Sequence, residues 1–151
     1  MSAVSFDAVW KTAFSIREQA VSYAVHPKEL ATVVRLPPDR RMAYFLGKVA
    51  DWRELWSVGN ESGWSMMATD EGREAVPLWP AAEFASQFCA GDWQDRRAKS
   101  IGLDDFLAKW IPGMQGDGRM AAVFPVTGNK GMVISPEELE QRLKDALQAY
   151  E

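Results

Sequence analysis

The chain has 151 residues with one cysteine, one histidine and a formal net charge of −4. That length suits one domain able to bury about two thirds of the surface of its unfolded chain. A lone Cys89 excludes an intramolecular disulfide, one Cys and one His cannot supply the usual ligands of a structural zinc site, and the negative charge disfavours general nucleic-acid binding.

The opening stretch MSAVSFDAVWKTAF lacks a basic n-region and a long apolar run, and no stretch is apolar for the 18 or so residues of a membrane span, so a cytoplasmic location without membrane contact is expected. Over residues 5–24, Phe6, Val9, Trp10, Ala13 and Phe14 recur at helical spacing behind a possible Ser5 cap, which predicts a first helix with a narrow apolar stripe. HPKELATVVRLPP starts with a proline suited to a helix start and ends in Pro-Pro, which leaves a short helix or an extended connector over 28–36. Asp39 is placed to cap a second helix, where Met42, Phe45, Leu46 and Val49 form the apolar face and the end lies near Asp51.

Residues 54–58, 64–68 and 75–78 read as strands separated by GNESG and TDEGR, both with Gly and Asx turn chemistry, and predict an antiparallel meander. Pro80 opens a third helix carrying Ala81, Phe84, Ala85 and Phe88, with Gly91 as its stop. Residues 98–101 form a possible short strand. Leu103, Phe106, Leu107, Trp110 and Ile111 then share one helical face, with Asp104 and Asp105 at the positive N-terminus and Pro112-Gly113 as the expected end. MAAVFPV and GMVIS flank TGNKG as a hairpin, and Ser135, Pro136 and Glu138 form an S-x-x-E start for a last helix with Leu139, Leu143, Ala146, Leu147 and Tyr150 on one face. The expected fold class is therefore α+β, a two-layer arrangement of an antiparallel or mixed sheet, made of the meander and the C-terminal hairpin, packed by helices.

Chemistry is sparsely signalled. Cys89 and His26 are the only thiol and imidazole, but Cys89 sits near a helix end where no lowered pKa is expected, so a nucleophilic pair is disfavoured. Asp70-Glu71, Asp104-Asp105 and Glu137-Glu138 lie in a turn and at two helix starts, where structural roles suffice. GMQGDG and TGNKG lack the Walker ending and the strand-then-helix glycine fingerprint, so both read as loops and no cofactor or metal is expected. Arg40-Arg41 and Arg96-Arg97-Lys99 read as solvated faces.

Seven tryptophans stand out. Trp10 and Trp110 fall on apolar helix faces and read as core. Along the strands, Trp56 with Val58 and Trp64 with Met66 point one way, while Leu55, Met67 and Pro77 with Trp79 point the other, so both sheet faces look apolar and one needs a cover. Trp56, Trp64, Trp79 and Trp93 with Arg41 are the candidate binding surface, with core packing as the competing reading for each strand tryptophan.

The run RLPPDRRMAYFLGKVADW, then ELWSV, GW, VPLWP, DDFLAKWIPGM, AAVFP and KGMVISPEEL, resembles a family of small bacterial proteins catalogued as domain of unknown function 2750, over about residues 36–147. The resemblance implies a compact α+β domain and no particular activity or catalytic residue. It also divides the single domain of residues 1–151 into an N-terminal helical extension, 1–35, and a family-like core, 36–151. Two functions fit these readings. One is a non-catalytic binding or regulatory module that meets a protein partner, or a second copy of itself, through an aromatic surface. The other is an enzyme or small-molecule sensor whose site draws Arg41, Asp51, Arg73 and Asp92 together in three dimensions, which a deep pocket holding at least two of them would favour.

Overall fold

A computed structural model describes residues 24–89 and 93–149. The helix expected over residues 5–24 lies outside the described residues. The first described helix, α1 (Pro27–Val33), resolves the ambiguity over 28–36 in favour of a helix, with Pro27 at its first turn and His26 as its N-cap through Nδ1. Helix α2 (Pro38–Trp52) starts from Pro37 with Asp39 in its first turn, so Asp39 favours the dipole rather than capping. Its face of Met42, Phe45 and Val49 is buried as the spacing requires, and Arg41 is buried with them.

The expected meander is corrected. Strand β1 (Glu54–Asn60) pairs antiparallel with β2 (Gly63–Trp64), but Met67–Ala68 (β3) belongs to another sheet, where it pairs with β4 (Glu74–Leu78). Ser65 N–H still reaches Val58 O at 2.9 Å, and beyond it the chain leaves β1. A period-two pattern carries no mark of such a change of partner. Helix α3 (Ala82–Phe88) begins two residues after Pro80, from an extended Ala81, and is followed by β5 (Arg97–Gly102), which pairs antiparallel along β1 from Glu54↔Gly102 to Gly59↔Arg97.

The helix after β5 is also corrected. Helix α4 covers residues 103–117 in three runs: Leu103–Asp105, a π-helical turn Phe106–Trp110, and Ile111–Asp117. Pro112-Gly113 does not end it. Ile111 N–H donates to Phe106 O, five residues back, and this wide turn lets Pro112, which has no N–H, open a fresh α-helical run. The true stop is Gly118 at φ 70°, in the left-handed region glycine tolerates. Leu103, Phe106, Trp110 and Ile111 are buried, Leu107 half-buried. Strands β6 (Met120–Val123) and β7 (Met132–Ile134) pair antiparallel, as the hairpin reading expects, and β6 lies parallel to β4. Helix α5 (Pro136–Ala149) takes its cap from Ser135 Oγ, which accepts from Glu138 N–H at 3.1 Å, while the Glu138 carboxylate turns to Arg142.

The sheets β2-β1-β5 and β3-β4-β6-β7 are sewn together by residues rather than by a shared strand. Trp56 and Trp79 exchange both backbone hydrogen bonds at 2.8 Å, and Ser57 Oγ donates to Pro77 O at 2.6 Å. Helix α3 packs on β5 and β1; α2 and α5 pack on each other and reach β7 and β6. One hydrophobic cluster runs from Val25 and Val33 through Phe45, Leu55, Val76, Trp79, Phe84 and Trp110 to Leu143. The result is an α+β fold with a mixed and an antiparallel sheet. Among the described residues, no helix is long and apolar enough to cross a membrane.

Candidate functional site

The loop between β6 and β7 is shaped by one unusual residue. Phe124 has φ 59°, a left-handed conformation that costs a bulky residue about 1–3 kcal/mol and persists only where its surroundings dictate it. Here they do. Phe124 N–H donates to Leu78 O at 2.8 Å, and its carbonyl accepts from Arg41 Nε at 3.0 Å. Arg41, 3% exposed, also donates to Leu36 O at 2.6 Å and to Asn129 Oδ1 at 2.7 Å, and its guanidinium lies 5.9 Å from the centre of the Phe124 ring. Burial lowers the Arg41 pKa, and the three acceptors are neutral oxygens. One residue on, Pro125 O accepts from the indole N–H of Trp79 at 2.8 Å.

Past this anchor the chain closes a tight turn. Val126 and Asn129 exchange backbone bonds at 2.9 Å around Thr127 and Gly128, and Asn129 Oδ1 also accepts from Gly131 N–H. Gly131 has no substitute: a Cβ there meets Val123 O at 2.2 Å. Lys130 clips the turn to Asp70 between β3 and β4 at 2.8 Å, and that bond holds the Asp70 carboxyl below its ordinary pKa.

The loop thus held forms one wall of a cleft of about 180 Å³, made by Pro125, Val126 and Thr127; among the described residues, Phe84, Gln87 and Phe88 of α3 and Val34 at the end of α1 also line it. Behind it the aromatic rings interlock. Phe84 meets Phe124 at 4.8 Å and Tyr44 at 5.8 Å between centroids, and Phe88 bridges Trp79 at 5.3 Å and Trp93 at 5.7 Å. Arg96 lies over Trp93 at 5.3 Å while bonding Ser65 Oγ and Asp95. Cys89 ends α3 half-buried, its thiol pKa pushed up by burial, with Arg96 opposing and Asp95 adding to the shift.

The candidate surface residues are distributed differently from the sequence expectation. Trp79 is fully buried and Trp64 nearly so, edge-on to Trp110 at 4.5 Å, so both belong to the core. Arg41 is the anchor behind the loop. Trp56 and Trp93 are half-buried, and Trp93 meets the cleft residue Phe88. Among the described residues, the large apolar side chain left most exposed is Trp52, at 40%, which is not one of the candidate surface residues. Of the dispersed polar set, Arg41 and Asp51 sit ten residues apart on α2, about 15 Å along the axis, and Arg73 reaches Met120 Sδ. Asp92 lies outside the described residues. A second, polar groove of about 690 Å³ between the β1–β2 turn and β5 is lined by Asn60, Glu61, Ser62, Asp95, Arg97 and Lys99. Neither cleft is lined by Arg41, Asp51 or Arg73. His26 caps α1, and among the described residues no three His, Cys, Asp or Glu side chains gather as a metal site requires.

Of the cleft residues, sequence reading had placed Phe84 and Phe88 on a helix face and missed Val34, Gln87, Pro125, Val126 and Thr127 as a site. They come from three separated segments, and the signal that joins them, a left-handed Phe124 backed by an arginine 83 positions away, is tertiary.

An α+β domain with two stitched sheets and a cleft built on a buried arginine is the class that the structure defines. The chain belongs to the family described as Protein of unknown function (DUF2750), whose model matches residues 42–143, about two thirds of the sequence. That span starts in α2 one residue after Arg41 and ends in α5, so it holds most of α2, the sheets and the β6–β7 loop, while α1, Val34 and Arg41 itself precede it. No curated protein and no solved structure matches the chain.

Proposed function

We propose that this protein is a non-catalytic, cytoplasmic binding module that recognises a partner protein by taking one bulky apolar side chain of an exposed peptide segment into the cleft between α1, α3 and the β6–β7 loop. The observation that carries the reading is the left-handed Phe124 held by Arg41. That arrangement costs stability, and its effect is to hold Pro125, Val126 and Thr127 opposite Phe84, Gln87 and Phe88. Size favours a side chain over a metabolite. At about 180 Å³ the cleft falls below the ~300 Å³ at which small-molecule pockets begin, and is close to the ~150 Å³ that accommodates a benzene ring. Its described walls combine the apolar side chains of Val34, Phe84, Phe88, Pro125 and Val126 with polar groups, among them the Gln87 amide and the Thr127 hydroxyl, able to bond the backbone of an inserted segment, which is how an interface anchor is usually seated. The net charge of −4 supports a protein over nucleic acid as the partner.

Parallel affinity capture from cells of the source organism with the wild-type chain and with Val126→Glu tests this. Val126 is half-buried at the cleft, so the charge blocks the site without emptying the core. A partner retained by the wild type and reduced at least tenfold by the variant is the expected result. Identical captured sets, with the variant's circular dichroism unchanged, would remove the cleft from the binding surface.

A further inference from the structure

The described chain begins beside this cleft. Val25, 8% exposed, lies in the core cluster and donates its N–H to Glu83 Oε2 at 3.2 Å, which fixes the start of the described chain on α3. Gln87, a wall of the cleft, is one helical turn along from Glu83, about 6 Å up the axis. Residues 1–23 therefore join the body next to the site, and they carry the stripe Phe6, Val9, Trp10, Ala13 and Phe14. Such a stripe is stable in water only against an apolar partner.

We infer that the segment of residues 1–23 is a ligand of the same chain's cleft, with an aromatic side chain of that stripe seated between Phe84, Phe88 and Val126, so that a partner must displace it to bind. The inference rests on the binding reading above and names what regulates that site. Reach permits it. The ten residues from Phe14 to Ala24 span about 15 Å if helical and about 33 Å if extended, ample for a site one to two helical turns from the attachment point. Tethering supplies an effective concentration on the order of millimolar, so even a weak contact fills the cleft. Chemistry agrees as well: the charged side chains of the segment, Asp7, Lys11, Arg17 and Glu18, sum to no net charge, and the described residues that line the cleft carry none. A partner then meets an apparent dissociation constant raised by the fraction of chains whose cleft is closed, about tenfold if nine in ten are.

Two measurements on the full chain test this. In the first, a photo-reactive p-benzoylphenylalanine replaces Trp10, and cross-links are mapped by mass spectrometry over a hundredfold dilution. Cross-links within one chain to the peptides holding Phe84 to Phe88 or Pro125 to Thr127, with a yield independent of concentration, are expected. Cross-links elsewhere on the body, links between copies that fade on dilution, or none at all overturn the inference. In the second, a labelled peptide of residues 1–23 is titrated into the wild type and into Trp10→Asp/Phe14→Asp, the tethered segment being disabled in the latter. Binding at least tenfold tighter to the double variant, abolished when Val126→Glu is added, is expected, and equal affinity for both chains overturns it. The two readings fail separately. Loss of these results with Val126-dependent partner capture intact removes only the tethered ligand. Cross-links to the cleft with capture indifferent to Val126→Glu leave a folding contact and remove the binding site.

Discussion

A guanidinium that is 3% exposed and faces neutral oxygens depends on geometry, because no opposite charge compensates its desolvation. Arg41 meets acceptors in three directions from a planar fork, which an ammonium on a flexible stem cannot reproduce. Arg41→Ala is expected to cost about 3–5 kcal/mol in a denaturant titration, since it strands the Phe124 and Leu36 carbonyls, and Arg41→Lys about 1–3 kcal/mol. A loss under about 1 kcal/mol for the alanine variant would show that the loop holds itself. Cys89 offers a test of pH with a definite sign. Its thiol pKa is raised by burial, so at neutral pH it holds less thiolate than a free cysteine and should alkylate more slowly, with the rate still climbing above pH 9. The same shift stabilises the fold fully below the unfolded thiol's pKa, and this contribution is lost as pH rises through the folded value, because the unfolded thiol gives up its proton first. Alkylation as fast as that of glutathione at pH 7 would contradict a buried, protonated thiol.

At the level of elements, sequence periodicity succeeded where one local rule governs and failed where two compete. The face of Leu103, Phe106, Trp110 and Ile111 was legible because burial repeats with the helix, but the end was misplaced, since Pro112 breaks a helix unless a wide turn precedes it. Nothing in FLAKW marks a π turn; the packing of Phe106 against Trp110, at 25° between planes, and of Trp110 against Trp64 accompanies it. The β6–β7 hairpin was legible from TGNKG, and its glycines sit where turn geometry and the close approach to Val123 O require them. What TGNKG could not reveal is that Asn129 serves a second master: its Oδ1 receives both Gly131 N–H and Arg41, so the turn and the buried anchor are one device. For the strand tryptophans, core and surface readings both fit the sequence, and tertiary contacts decide between them. Alternation along a strand correctly implied two apolar faces, but Trp79 is turned inward where its N–H finds Pro125 O, a partner 46 residues away.

On the scale of the whole molecule, the two sheets do not form two units, because contacts join them along the seam between β1 and the end of β4. The Trp56–Trp79 backbone bridge and the bond from the buried Ser57 hydroxyl to Pro77 O join β1 to β4 and the residue that follows it, beside the single hydrophobic cluster. Helices α2 and α5 pack on each other, and α2 reaches β1 of one sheet and β7 of the other, so neither sheet keeps a core of its own. A domain of this size with one shared core unfolds in one step. Far-ultraviolet circular dichroism reports the helices and strands of both sheets, while tryptophan fluorescence includes the signals of Trp56 and Trp79, which bridge the seam. The two signals are therefore expected to give coincident urea transitions with the same midpoint and slope. A fluorescence change that precedes the loss of helix signal would mean that the seam opens first and that the sheets are separable. Coincidence would mean that the cleft, built from α1, α3 and a loop of the second sheet, lasts as long as the fold itself.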